Sequence, residues 1–472
     1  MRRLMAASVT LALAGCMVGP DHIRPETETA TDFARREAPV FASDAPQAAF
    51  WAQFGDATLE ELVAEALVAN HDLRVAAARL DAARSLARET ARDRIPSVTA
   101  GASYRDVRTP ESGASLDLAR YDAGFDAVWE LDFFGRVRRA TEAARADSRA
   151  AAADLDAVHV AVAADVARAY FELRGLQAQL AVATENVANQ TRSLELVDAR
   201  LEAGRGTEFD TARQRAQLAT TQARVPVLEA TIAATTHRLA VLTGRQPHAL
   251  DAALAAQAPL PALPATIAVG TPEALLRRRP DIAAAEARLA AATARVGVAT
   301  ADLFPRVTLF GGYGSLAGDA GDLGSSASER WSFGPSISWA AFDLGRVRAR
   351  IAARDADAHA ALARYEQTVL GALEETETSL VRFARKRDER ERLDAAARDS
   401  AEAARLAHLR FDAGASDFLA VLDAERTLLE ARDRAAASRT ETATALIAVY
   451  KALGGFPDEV GDRAAARQPV SP

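Results

Sequence analysis

The sequence predicts a mixed α+β membrane protein made of two tandem copies of one unit. Each copy pairs amphipathic strands with very long coiled-coil helices. The first observation behind this is a repeat. Arg94-Ile95-Pro96 returns as Leu303-Phe304-Pro305, and Trp129 to Arg138 returns as Trp339 to Arg348, both ending in Gly-Arg-Val-Arg. Arg200-Leu-Glu-Ala-Gly204 returns as Arg410-Phe-Asp-Ala-Gly414, and Gly244…Pro247 as Gly454…Pro457. These pairs lie 209 or 210 residues apart, and one offset across separate landmarks means a duplicated unit. The second observation is period-two alternation of apolar and polar residues in four segments. The third is that residues 138–203 contain no proline and as one helix would extend ~100 Å.

The chain opens with a targeting segment, residues 1–15. Arg2 and Arg3 precede an apolar run, Leu4 to Leu13, that is too short to span a bilayer. Leu13-Ala14-Gly15-Cys16 has the form of a lipobox, which predicts cleavage before Cys16 and a lipid on it. The alternative is an ordinary signal peptide with an incidental cysteine. Cys16 is the only cysteine in the chain and falls at the lipobox position, which favours lipidation. Met17 follows it where an inner-membrane retention signal would have aspartate, so the outer membrane is expected. Residues 16–57, rich in proline and polar side chains, read as an extended lipidated arm.

The first copy occupies 58–244. A helix is expected from Thr58 to Arg94, with Leu59, Leu62, Ala66, Leu73, Ala77 and Leu80 at helical spacing and Pro96 as its stop. Strands follow over 97–105 and 121–132, joined by a loop over 108–120. In the second strand Tyr121, Ala123, Phe125, Ala127 and Trp129 share one face; Asp122, Asp126, Glu130 and Asp132 make the other largely acidic. A soluble sandwich strand would alternate as well. Segments of 9–11 residues with aromatics near their ends fit tilted transmembrane strands better. The helical stretch 138–203 carries Leu180, Val187, Leu194 and Leu201 seven apart, a coiled-coil seam. Gly204-Arg205-Gly206 ends it, and a second helix covers 207–243, with a kink expected at Pro226. Alanine, glutamine and threonine in the seams imply close packing against several partners.

A linker, 245–270, holds Pro247, Pro259, Pro261 and Pro264 and reads as irregular. The second copy, 271–455, repeats the plan. Val307, Leu309, Gly311 and Tyr313 share a face, as do Trp331, Phe333, Pro335, Ile337 and Trp339, with a Gly/Ser-rich loop over 315–330 between the strands. Gly414-Ala415-Ser416 separates its two long helices. The tail, 456–472, reads as disordered.

Composition excludes several function classes. A net charge of −8 and a pI of about 5.6 give no footprint for nucleic acid. No segment past the signal reads as a transmembrane helix, so any crossing must be a closed β-barrel. The seven histidines are scattered without His-x-x-x-His or other ligand spacing. No phosphate-binding glycine loop and no nucleophile with a base is present, so no enzyme, no metal and no cofactor beyond the lipid on Cys16 is expected. Four strands cannot close a barrel alone, so the barrel must be shared between chains.

The lipobox, the Cys16-Met-Val-Gly-Pro-Asp-His-Ile-Arg-Pro25 start, the duplicated Gly-Arg-Val-Arg exits and the Ala-Gly turns resemble the TolC-like outer-membrane efflux channel family. They are most similar to its lipoprotein branch of OprM-like or NodT-type members. The resemblance covers nearly the whole chain. It implies a homotrimer with a twelve-stranded transmembrane β-barrel and a periplasmic α-helical tunnel. It also implies a periplasmic adaptor (membrane fusion protein) and an inner-membrane pump of the resistance-nodulation-division (RND) type as partners. The expected function is a passive, gated exit duct for drugs or other small toxic compounds. Heavy-metal cation efflux and type I protein secretion are the alternatives within the family. The only methionines are Met1, Met5 and Met17, which weighs against a soft-metal route. A pore-less coiled-coil spacer is a further reading, and the alternating strands count against it.

The resemblance places a periplasmic gate at Leu419 and Asp423, one helical turn apart. Three carboxylates in a ring would attract cations; the alternative for Asp423 is a solvated helix charge. Ala420 and Ser416 depart from the gate residues of some members, which puts a salt-bridge latch in doubt. Gly204, Gly206, Gly414 and Ser416 mark hairpin tips where an adaptor would dock, although helix-ending glycines need no further role. Trp129, Phe134, Trp339 and Phe342 would form the barrel's periplasmic aromatic rim, or ordinary core.

Overall fold

A computed structural model describes residues 17–34, 40–47, 49–111 and 114–454. The signal segment, Cys16 and the 456–472 tail lie outside the described residues. The arm holds β1 (Phe41–Ala42) and a 3-10 turn (Phe50–Phe54), and the first copy opens with α1 (Ala57–Ala69) and α2 (His71–Arg92). Then come β2 (Ser97–Glu111), β3 (Ala114–Leu131), α3 (Arg136–Glu202), α4 (Glu208–Gln222) and α5 (Arg224–Leu242). The linker holds a 3-10 turn (Pro247–Leu250), α6 (Asp251–Leu254) and β4 (Ile267–Ala268). The second copy contains α7 (Pro272–Arg278), α8 (Pro280–Ala301), β5 (Arg306–Ala317), β6 (Glu329–Ser338), α9 (Leu344–Asp412) and α10 (Phe418–Ala452).

The chain forms two compact units, and neither is one sequence copy. The first holds residues up to Thr27, Ala78–Ala153 and Ala283–Thr368. Its centre is one antiparallel sheet in the order β2-β3-β5-β6, with β2 and β6 as open edges. Of the loop expected at 108–120, residues 108–111 and 114–120 are instead strand: β2 and β3 are 15 and 18 residues long, and pairing continues through Arg105↔Arg120 and Val107↔Leu118. Proline at 110 does not stop β2, because an edge strand can spare one donor. β5 and β6 run 12 and 10 residues, close to the expected lengths. Among the described residues no helix is long and apolar enough to cross a membrane.

The second unit holds Glu28–Ala77, Asp154–Ile282 and the chain from Val369. Its core is mainly aliphatic, with a group of aromatic rings packed within it. Phe50 stacks on Tyr450 at 5.0 Å between centroids, and Phe54 meets Phe171 edge-on at 4.8 Å. Asp56 caps α1 by accepting from Leu59 N at 2.9 Å, and also accepts from the Tyr170 hydroxyl at 2.9 Å. Burial pushes the Tyr450 hydroxyl up to about 12, and it donates to Gln53 Oε1 at 3.1 Å. The arm and linker are less irregular than their composition implied. Phe41 and Ala42 pair in parallel with Ile267 and Ala268, a long-range contact no local pattern announces.

Three expected helices differ in detail. The 58–94 helix is two, because Asn70 ends α1 and its Oδ1 then accepts from Asp72 N at 2.8 Å to start α2. The helix after Gly206 breaks at Ala223 rather than at Pro226, since proline cannot donate to the carbonyl four residues back, at Gln222. With Ala436 at the matching place, α10 continues unbroken for 35 residues. Along the seam Leu180, Val187, Leu194 and Leu201 are half-buried, while Ala183, Gln190 and Val197, interleaved with them, are buried, and Gln214 Nε2 donates to the Gln190 carbonyl at 3.2 Å. α3 and α10 approach so closely that a Cβ on Gly175 would lie 1.9 Å from Thr440 Oγ1.

Candidate functional site

The sheet separates its two faces by register. Ala100, Phe125, Tyr313 and Trp331 align across the four strands, followed by Val98, Ala127, Gly311 and Phe333. Trp129, Leu309 and Pro335, then Leu131, Val307 and Ile337, continue the same face. It is apolar and open: Trp331 is 75% exposed, Phe333 70% and Ile337 69%. An exposed apolar face this continuous is an interaction surface, for lipid or protein.

The opposite face is not the acidic wall its aspartates suggested. Asp122 binds Arg330 at 2.6 Å, and Glu130 accepts from Arg136 Nε at 2.7 Å. Asp302 accepts from Arg306 at 3.1 Å and from Arg350 at 2.8 Å. Asp132 likewise pairs with Arg138 at 3.2 Å, so Asp122, Glu130 and Asp132 on this face are each matched by an arginine.

The four residues expected at the rim divide. Trp129 donates through Nε1 to the Arg94 carbonyl at 3.0 Å, and Trp339 donates to Leu303 at 3.0 Å. Each acceptor lies two residues before the proline that opens the strand pair, so both copies use one tryptophan in one way. Phe342 is fully exposed. Phe134 instead stacks on Phe304 at 4.6 Å and 14°, a packing contact within the sheet's base.

That base also holds the start of the arm, which sequence reasoning did not foresee. The Arg139 side chain is 1% exposed. It donates to the carbonyls of Val18 and Gly19, both at 3.2 Å, and to Asp21 at 2.7 Å. Val18 N in turn donates to the Phe134 carbonyl at 3.3 Å. Gly19 has φ +91° and lies so close to Gly297 that a Cβ would sit 2.4 Å from its Cα. The Val-Gly-Pro-Asp start therefore has a receptor within the fold.

The two hairpin turns are built alike. Arg205 N donates to Arg200 O and Ala415 N to Arg410 O, each at 2.8 Å, with Gly204 and Gly414 in the left-handed region at φ 68° and 72°. These are Schellman closures, which satisfy carbonyls at the helix end. Thr207 and Asp417 then cap the return helices, accepting from Asp210 N at 3.2 Å and Ala420 N at 3.1 Å. Gly206 packs against the α3 backbone, where a Cβ would come within 3.0 Å of Leu201 N; at the equivalent Ser416 the hydroxyl is buried and has no partner. The Arg200 guanidinium lies over the Phe411 ring at 4.6 Å and ties the two turns together.

Leu419 and Asp423 both lie exposed on α10. Asp423 is not a bare carboxylate, because Arg426 one turn on donates to it at 3.0 Å and also reaches Glu430 at 3.2 Å. The fold also assembles a group that sequence spacing hid. His237, His248 and Asp251 bring their donor atoms within 4.8 Å of one another. This corrects the expectation that the histidines are scattered.

The sequence model for the outer membrane efflux protein family matches twice, over residues 62–245 and 271–455. The chain belongs to the outer membrane efflux protein family. It is therefore the outer-membrane channel component of an efflux system, a duct rather than an enzyme. Nodulation protein T of Rhizobium leguminosarum bv. viciae is 31% identical over 464 residues, covering 96% of this chain and 94% of that protein. The toluene efflux pump outer membrane protein TtgF of Pseudomonas putida is 30% identical, covering 97% and 98%. Among solved structures, the outer-membrane channel OprN superposes with a TM-score of 0.88 at 45% identity, covering 93% of this chain and 99% of that one. The fold is that of the TolC-like channels.

Proposed function

We propose that three copies of this chain close a twelve-stranded transmembrane barrel continued by a helical tunnel, and that the assembly is a passive exit duct for small toxic organic compounds. One observation carries the reading: the four-stranded sheet has two open edges and one exposed apolar face. Unpaired strand edges are not tolerated in lipid, so each edge requires a strand from another chain. Three chains leave room for a lumen, where two would fill it with side chains. α3 and α9, of 67 and 69 residues, each extend ~100 Å and would form the tunnel wall. The two strand-helix copies are read as a tandem duplication, supported by the shared tryptophan bonds and turn geometry.

On this reading Cys16 carries the lipid anchor, and Cys16→Ser abolishes palmitate incorporation; unchanged incorporation removes the anchor. The turns at Gly204, Gly206, Gly414 and Ser416 meet a periplasmic adaptor joined to an RND-type inner-membrane pump. Leu419 and Asp423 ring the periplasmic opening. Trp129, Trp339 and Phe342 lie at the barrel's periplasmic rim, with Phe134 packed behind them. Organic cargo is favoured because a relative of this length and identity serves a toluene efflux pump. The test is a deletion strain, complemented with the wild-type gene, challenged with antibiotics, dyes, detergents, copper and silver. Sensitivity to several unrelated organics, reversed by the gene, supports the proposal. Sensitivity to metals alone moves the protein to cation efflux, and no sensitivity refutes a small-molecule role.

A further inference from the structure

We propose that His237, His248 and Asp251 form a divalent transition-metal site that fastens the beginning of the linker to α5. His237 lies on α5, five residues before its end; His248 and Asp251 come from the short 3-10 turn and α6 that follow. The Asp251 carboxylate lies beside a nitrogen of each ring. Its Oδ2 is 3.1 Å from His248 Nδ1, and its Oδ1 is 3.9 Å from His237 Nε2. The imidazoles meet edge to face at 4.8 Å between centroids and 85°. Two imidazole nitrogens and a carboxylate oxygen therefore converge on one point from three side chains.

The backbone around the cluster is held in place. Leu239, Ala240 and Leu242 bury the far side of α5, and Leu250 and Leu254 bury the turn and α6 beneath the cluster. His248 lies on the 3-10 turn and Asp251, three residues on, is the first residue of α6, close enough for their side chains to meet at 3.1 Å. The donor atoms all lie within 4.8 Å of one another. Ligands around a zinc ion, at ~2.0–2.1 Å each, stand ~3.3 Å apart. The three side chains are at least a third exposed, so small rotations about their χ angles close the remaining gap without moving the core. Two imidazoles and one carboxylate suit Zn(II), Ni(II) or Cu(II) and do not suit Ca(II) or Mg(II), which prefer oxygen throughout. Three protein ligands leave positions for water, so the site holds the ion in exchange with solvent.

The ligands come from two elements on either side of the helix-ending turn at Gly244, whose backbone reverses the chain at φ 72°. A bound ion would link α5 to residues 248–251 across that reversal. The test uses the full mature chain, purified in detergent without a polyhistidine tag and stripped with a chelator. Isothermal titration with Zn(II) is expected to give one site per chain. His237→Ala, His248→Ala and Asp251→Asn should each weaken it at least tenfold, while His359→Ala, on α9, leaves it unchanged. Cu(II) bound to the wild type should show two imidazole nitrogens by electron paramagnetic resonance, and one in His237→Ala. Equal Zn(II) affinity in the His237→Ala/His248→Ala double variant overturns the proposal. So does the absence of a saturable site in the wild type.

Discussion

Replacing Arg139 with methionine should release the start of the arm while leaving the rest of the protein folded. Three of the four bonds that Arg139 makes go to arm residues: the Val18 and Gly19 carbonyls and the Asp21 carboxylate. The fourth goes to Glu142 on its own helix at 2.9 Å. A hydrogen bond from a charged donor contributes ~1.5–3 kcal/mol, and the two carbonyl bonds together ~3–6 kcal/mol. The Asp21 side chain is 78% exposed, so solvent screens that pair and it adds at most ~1 kcal/mol. Docking of residues 18–21 should weaken by ~3–7 kcal/mol, which is about two to five powers of ten in the opening equilibrium. Methionine fills most of the space of the arginine stem, so no large cavity compounds the effect.

Hydrogen exchange at Val18 reads this out, because its amide is bonded to the Phe134 carbonyl at 3.3 Å. Exchange should accelerate at least a hundredfold in Arg139→Met, with amides of α10 unaffected. Arg139→Lys keeps the charge, loses the fork and should fall between. Gly19→Ala offers an independent route, since its Cβ would stand 2.4 Å from the Gly297 Cα at a φ that alanine resists. It should free the same residues with Arg139 intact. Unchanged Val18 exchange in both Arg139→Met and Gly19→Ala would refute the clasp.

Further predictions concern the helices, the sheet and the tip. Gly175→Ala should cost ~1–3 kcal/mol by overpacking against Thr440, seen as a lower midpoint of thermal unfolding in detergent, and Thr440→Gly should recover part of it; an unshifted midpoint would mean the helices do not meet there. Phe333→Arg should destabilise the assembled barrel by ~2–4 kcal/mol per chain, with a reduced trimer yield on native gels. Ile337→Arg should do less, because Ile337 pairs with Val307 one residue from the end of β6, whereas Phe333 pairs with Gly311 near the middle. Normal trimer yield with Phe333→Arg would mean the apolar face points into the lumen. Asp423→Ala should reduce cation selectivity in planar bilayers, since it leaves Arg426 with Glu430 as its carboxylate partner; wild-type currents would remove Asp423 from the gate.

What the sequence disclosed and what it hid divide along one physical line. Strand alternation, seam residues and helix-ending glycines are local patterns, and the register across Phe125, Tyr313 and Trp331 agrees with them. Contacts between distant segments left no such trace. Nothing near Asp122 announces Arg330, and nothing near Phe41 announces Ile267. The histidine cluster escaped because its members lie on two elements joined by a reversal, eleven residues apart between His237 and His248. The loop expected over 108–120 failed for a different reason. Proline is a turn residue by composition, but at Pro110 on an edge strand its cost is small and the cross-strand partners decide. Asn70 was counted within one helix, although its side chain competes for backbone donors and so favours a cap over a helix interior.

The joint at the end of each copy shows which features the fold demands and which it leaves free. The last carbonyls of a helix have no donor within the helix. In the first copy Asn70 Nδ2 donates to the carbonyl of Leu242, the final residue of α5, at 2.9 Å. In the second copy Arg279 donates to the carbonyl of Ala452, the final residue of α10, at 2.8 Å. The acceptors are 210 residues apart and the donors 209, yet the donor side chains share neither size nor charge. Each donor also organises the short helix that follows it, by different means. Asn70 accepts from the first amides of α2, while Arg279 pairs with Asp281 at 2.7 Å at the start of α8 and with Glu375 at 2.7 Å on α9. The position requires a donor reaching one carbonyl and a stop between two helices. Either side chain supplies both, so the joint is closed in each half with a different residue at that position.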